Sequence, residues 1–245
     1  VLRSLDYGES DRIVTFFTDG FGKVKAIAKG ARRSRKRFAN ALENFSLGRI
    51  VFSRRGREEL ALLEACDAVQ HFPDVRADLE RTLTASYLIE LVDAFTLEGK
   101  KNEGLFALLN TFLGILNAGN SSEGMVRIFE LRLLGVLGYE PVLDRCSGCG
   151  TDPGEMKGIW FDPLEGGIRC GECVQRGREL YQLMPGTVRT LALGRSVEPE
   201  RLHRIIFSEA SLKESRKAIG AFIRHLLGKE LKSLNVLNEI KRMAI

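Results

Sequence analysis

Between Arg12 and Thr18 the chain reads RIVTFFT, a run of β-branched and aromatic residues that predicts a strand. Asp19-Gly20 and Phe21-Gly22 follow with turn chemistry. Lys23 to Lys29 then alternates: Val24, Ala26 and Ala28 take one face, and Ile27 interrupts the polar one. Phe45 to Ser53 and Glu59 to Ala65 are two further strands, joined by the turn Arg54-Arg55-Gly56-Arg57. Several short strands within residues 1–70 predict a small closed barrel such as an OB-fold, which would leave no exposed sheet edge.

After Pro73 the period changes from two to nearly four. Leu79, Leu83, Tyr87, Leu91 and Phe95, with Leu88 and Val92 beside them, form the apolar stripe of a helix. Leu105, Leu108, Leu109, Phe112 and Leu116 mark a second helix. Met125, Ile128, Phe129, Leu131 and Leu134 mark a third, stopped near Gly138 and Pro141. Helical patterning resumes from Pro185 to Leu193 and again at Ile219, Phe222, Ile223, Leu226 and Leu227. The fold class is therefore α+β. An N-terminal β-barrel over 1–70 precedes a helical domain in two parts, 71–141 and 177–245, with a distinct module at 142–176.

That module carries the strongest chemical signal. Cys146, Cys149, Cys170 and Cys173 form two C-x-x-C pairs with twenty residues between them. Two such knuckles bring four thiolates around one Zn²⁺ at tetrahedral geometry. Four protein ligands leave no position open to substrate, so one structural zinc is expected and not a catalyst. Gly150 and Gly171 let the backbone turn toward the sulfurs. Between the knuckles, Trp160-Phe161-Asp162-Pro163 and Gly166-Gly167-Ile168 read as a short hairpin, the layout of a zinc ribbon. The fifth cysteine, Cys66, lies in the apolar stretch LALLEAC and reads as a small buried hydrophobe.

Composition adds two points. With 44% hydrophobic residues the chain can bury a core without disulfides, and no apolar run reaches the roughly 20 residues of a membrane span. Val1 to Asp11 is too polar for a signal peptide, the start without Met predicts a few residues upstream, and thiolate-bound zinc suits a reducing cytoplasm. The net charge of +5 is unevenly spread. Residues 1–57 hold 14 Lys/Arg against 5 Asp/Glu, 58–210 hold 15 against 24, and 211–245 hold 8 against 3. A basic head and tail around an acidic middle predict one surface for a polyanion and another for a different partner.

Lys23, Lys25, Lys29, Arg32, Arg33, Arg35, Lys36 and Arg37 place eight cations within fifteen residues, with no acid among them. Arg54, Arg55 and Arg57 add to the same segment. Such clusters attract phosphate backbones through charge and counterion release, so these eleven residues are the expected nucleic-acid contacts. Phe21, Phe38 and Phe45 flank them as candidates for stacking on bases, or else as core. No catalytic group stands out. Gly20-Phe21-Gly22-Lys23 lacks the span and the Ser/Thr of a phosphate loop, there is no G-x-S-x-G, and His71, His203 and His225 are scattered.

Taken together the segments resemble the RecO family of bacterial recombination mediators. VLRSLDYGESDRIVTFFT at 1–18, GKVKAIAKGARR within 21–37 and FSLG at 45–48 are similar to the family's barrel. ASYLIEL at 85–91, IFELR at 128–132 and LGYEP at 137–141, followed by the first cysteine pair, are similar to its helical domain and zinc insertion. The resemblance implies a non-enzymatic DNA repair protein that binds single- and double-stranded DNA and anneals complementary strands. It implies partnership with RecR and single-strand binding protein, and through them the loading of RecA on gapped DNA. The acidic, apolar-ended tail of single-strand binding protein would want an Arg-lined groove, for which Arg127 and Arg132 are the candidates. Two other readings compete: a zinc-ribbon transcription or RNA-binding factor, and a metal-dependent hydrolase, which four thiolates disfavour.

Overall fold

The computed structural model describes residues 1–34, 37–38, 41–54, 60–175, 177–234 and 236–237. It divides into two compact units, Val1–Gly119 with Leu231–Ile245, and Asn120–Glu230. The end of the expected barrel segment, residue 70, lies inside the first unit.

The first unit begins with five strands: β1 (Arg3–Tyr7), β2 (Asp11–Thr18), β3 (Gly22–Ala28), β4 (Leu47–Ser53) and β5 (Ala61–Gln70). They hydrogen-bond in the order β1-β2-β3-β5-β4, antiparallel except for the parallel β3–β5 step. The alternation in the sequence decides the faces. Val14 and Phe16 on β2, Val24, Ala26 and Ala28 on β3, and Ala61 and Leu63 on β5 turn inward, and a register shift between β4 and β5 brings Cys66 to the same side. Phe38, Ala41 and Leu42, from the connection to β4, complete this core.

The expected closed barrel is corrected here. Among the described residues the sheet is open, with β1 and β4 as its two ends. The backbone nitrogen of Val1 lies 2.8 Å from the Ser46 carbonyl, yet no ladder joins β1 to β4. A groove of about 490 Å³ runs beside β1, lined by Ser4, Asp6 and Arg12 on one side and by Glu43, Phe45 and Arg76 on the other. The polar heads in it pair locally, Arg12 with Asp6 and Arg76 with Glu43, which leaves the β1 margin without a strand partner.

Three helices follow in this unit: α1 (Pro73–Ala77), α2 (Leu79–Phe95) and α3 (Glu103–Asn117). Asp78 caps α2 by accepting from the Arg81 amide, and Asn102 caps α3 by accepting from the Leu105 amide. They cover one end of the sheet. The Phe17 ring meets Phe106 of α3 at 6.2 Å, and Lys23 of β3 pairs with Asp93 of α2 at 2.7 Å. The short β2–β3 turn fits closely against the loop before α3. Gly22 has φ +65°, and a Cβ there would sit 2.1 Å from the Lys100 carbonyl oxygen.

The second unit holds α4 (Glu123–Val136), a three-stranded sheet, α5 (Pro185–Ser196), a 3-10 turn at Pro199–Arg204 and α6 (Glu209–Leu227). The sheet, in the order β7-β6-β8, is made of β6 (Ile159–Asp162), β7 (Gly167–Cys170) and β8 (Tyr181–Leu183). The expected hairpin between the knuckles is β6–β7; the third strand, β8, carried no readable period. Phe161 of β6 meets Phe222 of α6 edge-on at 5.9 Å, which seats the sheet on that helix. α6 ends at Gly228 in the left-handed conformation, φ +65°.

Candidate metal centre and nucleic-acid interface

The β6–β7 hairpin brings the two cysteine pairs together. Cys170 ends β7, and the first knuckle is hung beside the same strand by the Ser147 amide, which donates to the Ile168 carbonyl at 2.8 Å. One ligand atom from each of Cys146, Cys149, Cys170 and Cys173 lies within 4.8 Å of the others, and Cys149 Sγ is 3.7 Å from Cys170 Sγ. A Zn–S bond of about 2.3 Å sets sulfur–sulfur edges of about 3.8 Å in a tetrahedron, so the cluster fits a thiophilic ion of that size. Backbone amides aim at the sulfurs: Gly148 N–H and Cys170 N–H donate to Cys146 Sγ at 3.4 and 3.3 Å.

Electrostatics point the same way. Burial pushes the Cys146 thiol up, but donors from Cys149, Cys170 and Gly148 outweigh it and bring the pKa to about 6. Cys173 is pushed up to about 12, first by Cys149 and then by Cys170 and burial. Four sulfurs this close cannot all ionise unaided, and a divalent cation at their centre removes that conflict.

Two supports of this centre were not singled out in the sequence. Gly148 is one: a Cβ there would sit 2.8 Å from Cys173 Sγ, so the first knuckle approaches the second closely only without a side chain. The other is a buried carboxylate. Asp162, fully buried, accepts from Arg169 Nε at 3.1 Å and from an Arg178 nitrogen at 2.7 Å. The same Arg169 reaches the Cys173 carbonyl at 3.4 Å, tying the hairpin to the second knuckle. Desolvation opposes ionisation of Asp162, but hydrogen bonds from Arg178 and the Leu164 amide outweigh it and hold its carboxyl below the usual range. An i, i+7 Asp–Arg pair across a hairpin turn is the signal that the sequence offered.

The cations of the first unit do not form one uniform patch. Arg35, Lys36, Arg55 and Arg57 lie outside the described residues. Lys23 is mostly covered and held by Asp93 at 2.7 Å. Arg32 reaches Asp6 at 3.6 Å and the Gly8 and Glu9 carbonyls, Arg37 donates to the Lys29 carbonyl at 2.9 Å, and Arg54 lies 4.0 Å from Glu98. Lys25, Lys29 and Arg33 are exposed and make no ion pair among the described residues. The turn bearing Arg32 and Arg33 is ordered by its backbone. Gly30 has φ +67° and donates to Asp11 Oδ1 at 2.8 Å, while Arg32 N–H donates to the Ser10 carbonyl at 3.0 Å. That hydrogen bond from Gly30 is the main cause that lowers the Asp11 pKa.

Of the three phenylalanines, Phe38 and Phe45 are buried, and Phe38 belongs to the core behind the sheet. Phe21 is 63% exposed and meets Phe52 edge-on at 5.3 Å. Cys66 is buried, and burial pushes its thiol up to about 11. Arg127 and Arg132, the candidates for an acidic peptide, both lie on α4. Arg127 is 3% exposed and pairs with Glu130 at 2.8 Å. Arg132 spends its guanidinium on the Gly194 carbonyl at 2.9 and 3.1 Å and on the Val197 carbonyl, fastening α4 to the end of α5. Both guanidiniums have partners inside this unit.

The molecule is thus an α+β protein with a four-thiol cluster and with exposed cations beside a sheet that is open among the described residues. The family profile described as Recombination protein O N terminal matches residues 1–72, and that described as Recombination protein O C terminal matches 76–235. A DNA repair protein RecO of Syntrophus aciditrophicus is 46% identical over 247 residues, covering 100% of this chain and 95% of that protein. Proteins of the same name from Anaeromyxobacter dehalogenans and Geobacter metallireducens are each 37% identical over 98% of this chain, covering 94% and 96% of their own lengths. The chain belongs to the RecO family of DNA repair proteins. No described helix is long and apolar enough to cross a membrane.

Proposed function

We propose that this protein is a recombination mediator that works by binding and not by catalysis. It holds single- and double-stranded DNA on the basic N-terminal sheet, a partly open OB-fold, and anneals complementary strands. With RecR it helps load RecA onto gapped DNA coated with single-strand binding protein, in the cytoplasm. The observation that carries this reading is a full-length family match together with exposed cations (Lys25, Lys29 and Arg33) on the N-terminal sheet and its turn that make no ion pair among the described residues. Annealing requires two phosphate backbones to be neutralised together, which cations on a rigid sheet supply without a reaction centre.

The four cysteines hold one structural Zn²⁺. Bound there, the ion crosslinks the two knuckles and supplies no chemistry, since every ligand position is taken by sulfur. Asp162 and Arg169 keep the second knuckle in place for it. The deciding experiment follows complementary fluorescent oligonucleotides as they pair. Addition of the protein is expected to accelerate pairing, most strongly at low salt. Pairing at the spontaneous rate, with no binding of either oligonucleotide in dilute buffer, overturns the reading.

A further inference from the structure

The four clustered cysteines are not equivalent. Cys146 and Cys170 are buried, Cys173 is half-buried and Cys149 is exposed. The turn of the first knuckle sets this difference. Cys146 N–H donates to the Thr151 carbonyl at 2.8 Å, and Gly150 N–H, at φ +80°, donates to the Cys146 carbonyl at 2.9 Å. That loop keeps Cys146 beneath it and leaves Cys149 on its outer side. The Cys146 sulfur is also covered by two backbone amides, from Gly148 and Cys170. Oxidants reach thiolates by access as much as by charge, and access here favours Cys149.

Cys149 Sγ lies 3.7 Å from Cys170 Sγ, close to van der Waals contact. The two sulfurs belong to different knuckles, with twenty residues between them. A covalent bond between them joins the same two segments that a bound ion joins. Other contacts already hold those segments side by side. Ser147 N–H donates to the Ile168 carbonyl at 2.8 Å, and Arg169 ties the hairpin to the Cys173 carbonyl and to Asp162. None of these contacts involves a sulfur, so they persist when the thiols are oxidised.

We propose that Cys149 is the peroxide-reactive thiol of this centre and Cys170 its resolving partner, so that either the ion or a disulfide holds the two knuckles together. The Cys149 thiolate attacks one oxygen of hydrogen peroxide; an S–O bond forms, the O–O bond breaks and hydroxide leaves. The Cys170 thiolate then attacks the Cys149 sulfur; the S–S bond forms, the S–O bond breaks and a second hydroxide leaves. The sulfur pair gives up two electrons, the peroxide takes both, and protons from solvent turn the hydroxides into water. The site thereby loses two of its four ligands and with them its hold on the ion. The inference rests on the zinc reading above and goes beyond it, from what the cysteines hold to what they react with.

The test treats the full, unaltered, zinc-loaded chain with hydrogen peroxide. A chromogenic chelator reads the ion released, thiols are counted after denaturation, and peptide mapping locates the crosslink and any dimedone-trapped sulfenic acid. Thiols are expected to fall from five to three as the ion is released, with dimedone on Cys149 and a Cys149–Cys170 disulfide. Residues 142–178 should then resist limited proteolysis, unlike the reduced, metal-free protein, and dithiothreitol with Zn²⁺ should restore five thiols and the bound ion. Cys66→Ala removes the thiol outside the cluster and should leave ion release and the crosslink unchanged. Dimedone on another cysteine, a disulfide within either knuckle, or an ion kept with all thiols intact overturns the proposal while zinc binding stands. If the unaltered protein holds no zinc before peroxide is added, the zinc reading itself falls and the proposal with it.

Discussion

The cysteine module and the basic segment looked equally definite as strings of residues, and the structure treats them in opposite ways. Four cysteines separated by as many as twenty residues converge until their sulfurs lie within 4.8 Å of one another. Neighbouring cations in the basic segment part company: Lys23 goes to Asp93, Arg32 to Asp6, Arg37 to a carbonyl, and Lys25 and Arg33 to open space. The difference is physical. Ligand atoms must share one centre, so their spacing encodes a geometry. Like charges repel, and each finds its own partner or the solvent. A metal knuckle is therefore a statement about position, and a basic run is a statement about potential.

The largest expected effect tests the convergent half of this contrast. Cys170→Ser, or removal of the ion by a strong chelator, should abolish metal retention and open 142–178 to limited proteolysis. At stake is most of the roughly 10–16 kcal/mol by which such sites bind structural zinc. A module that stays protease-resistant without metal would show that the hairpin alone makes the knuckles converge.

Asp162→Asn comes next. It leaves the buried Arg169 with only the longer 3.7 Å ion pair to Glu165 and is expected to cost about 3 kcal/mol in urea denaturation of the metal-loaded protein. The pH dependence has a defined sign. The carboxyl is held below its ordinary value near 3.9, so its contribution is present above that pH and is lost as the pH falls through and below it. The Asn variant should lack this component of acid denaturation.

Arg132→Ala should cost about 2 kcal/mol by freeing the Gly194 and Val197 carbonyls, with no change in affinity for an acidic peptide. Any such change would return this arginine to the surface role expected of it. The dispersed half of the contrast is sharpened by two variants compared in salt titrations of DNA binding. Lys25→Ala with Arg33→Ala should flatten the slope of log K against log salt by about 2, nearly one per lost phosphate contact. Lys23→Ala should leave that slope alone and lower stability by about 1 kcal/mol. Equal slopes for both variants would mean that free and engaged cations are not distinguished. The smallest effect concerns Cys66. With its thiol pushed up to about 11, it should resist alkylation at pH 8 in the folded protein and react quickly in denaturant.

Most of the fold was legible because periodicity was strong. Val24, Ala26 and Ala28 announced an inward face, and the stripes at 79–95, 105–116 and 125–134 became α2, α3 and α4. The open sheet was not legible. Whether β1 meets β4 depends on how the intervening chain lies, and no alternation in either strand encodes that. β8 and the 3-10 turn at Pro199–Arg204 escaped because three and six residues are too few to show a period. At the metal centre the ligands were readable from spacing, but Gly148 and Asp162 were not. Their roles arise from contacts with Cys173 and Arg169 that exist only once the hairpin has formed. The cations were readable as a class, but their sorting required knowing where Asp93 and Asp6 would stand.

The unpaired margin of β1 has a practical consequence. Among the described residues no strand pairs with its outer edge, next to the exposed Leu5 and Tyr7, and such an edge is a surface to which another copy of the chain can zip. The basic N-terminal segments of two copies, with 14 Lys/Arg against 5 Asp/Glu in residues 1–57, repel each other in dilute buffer. At 1 M salt that repulsion is confined to about 3 Å. Self-association should therefore be stronger at 1 M salt than in dilute buffer, and recovery should improve when high-salt steps are brief and the protein is kept dilute.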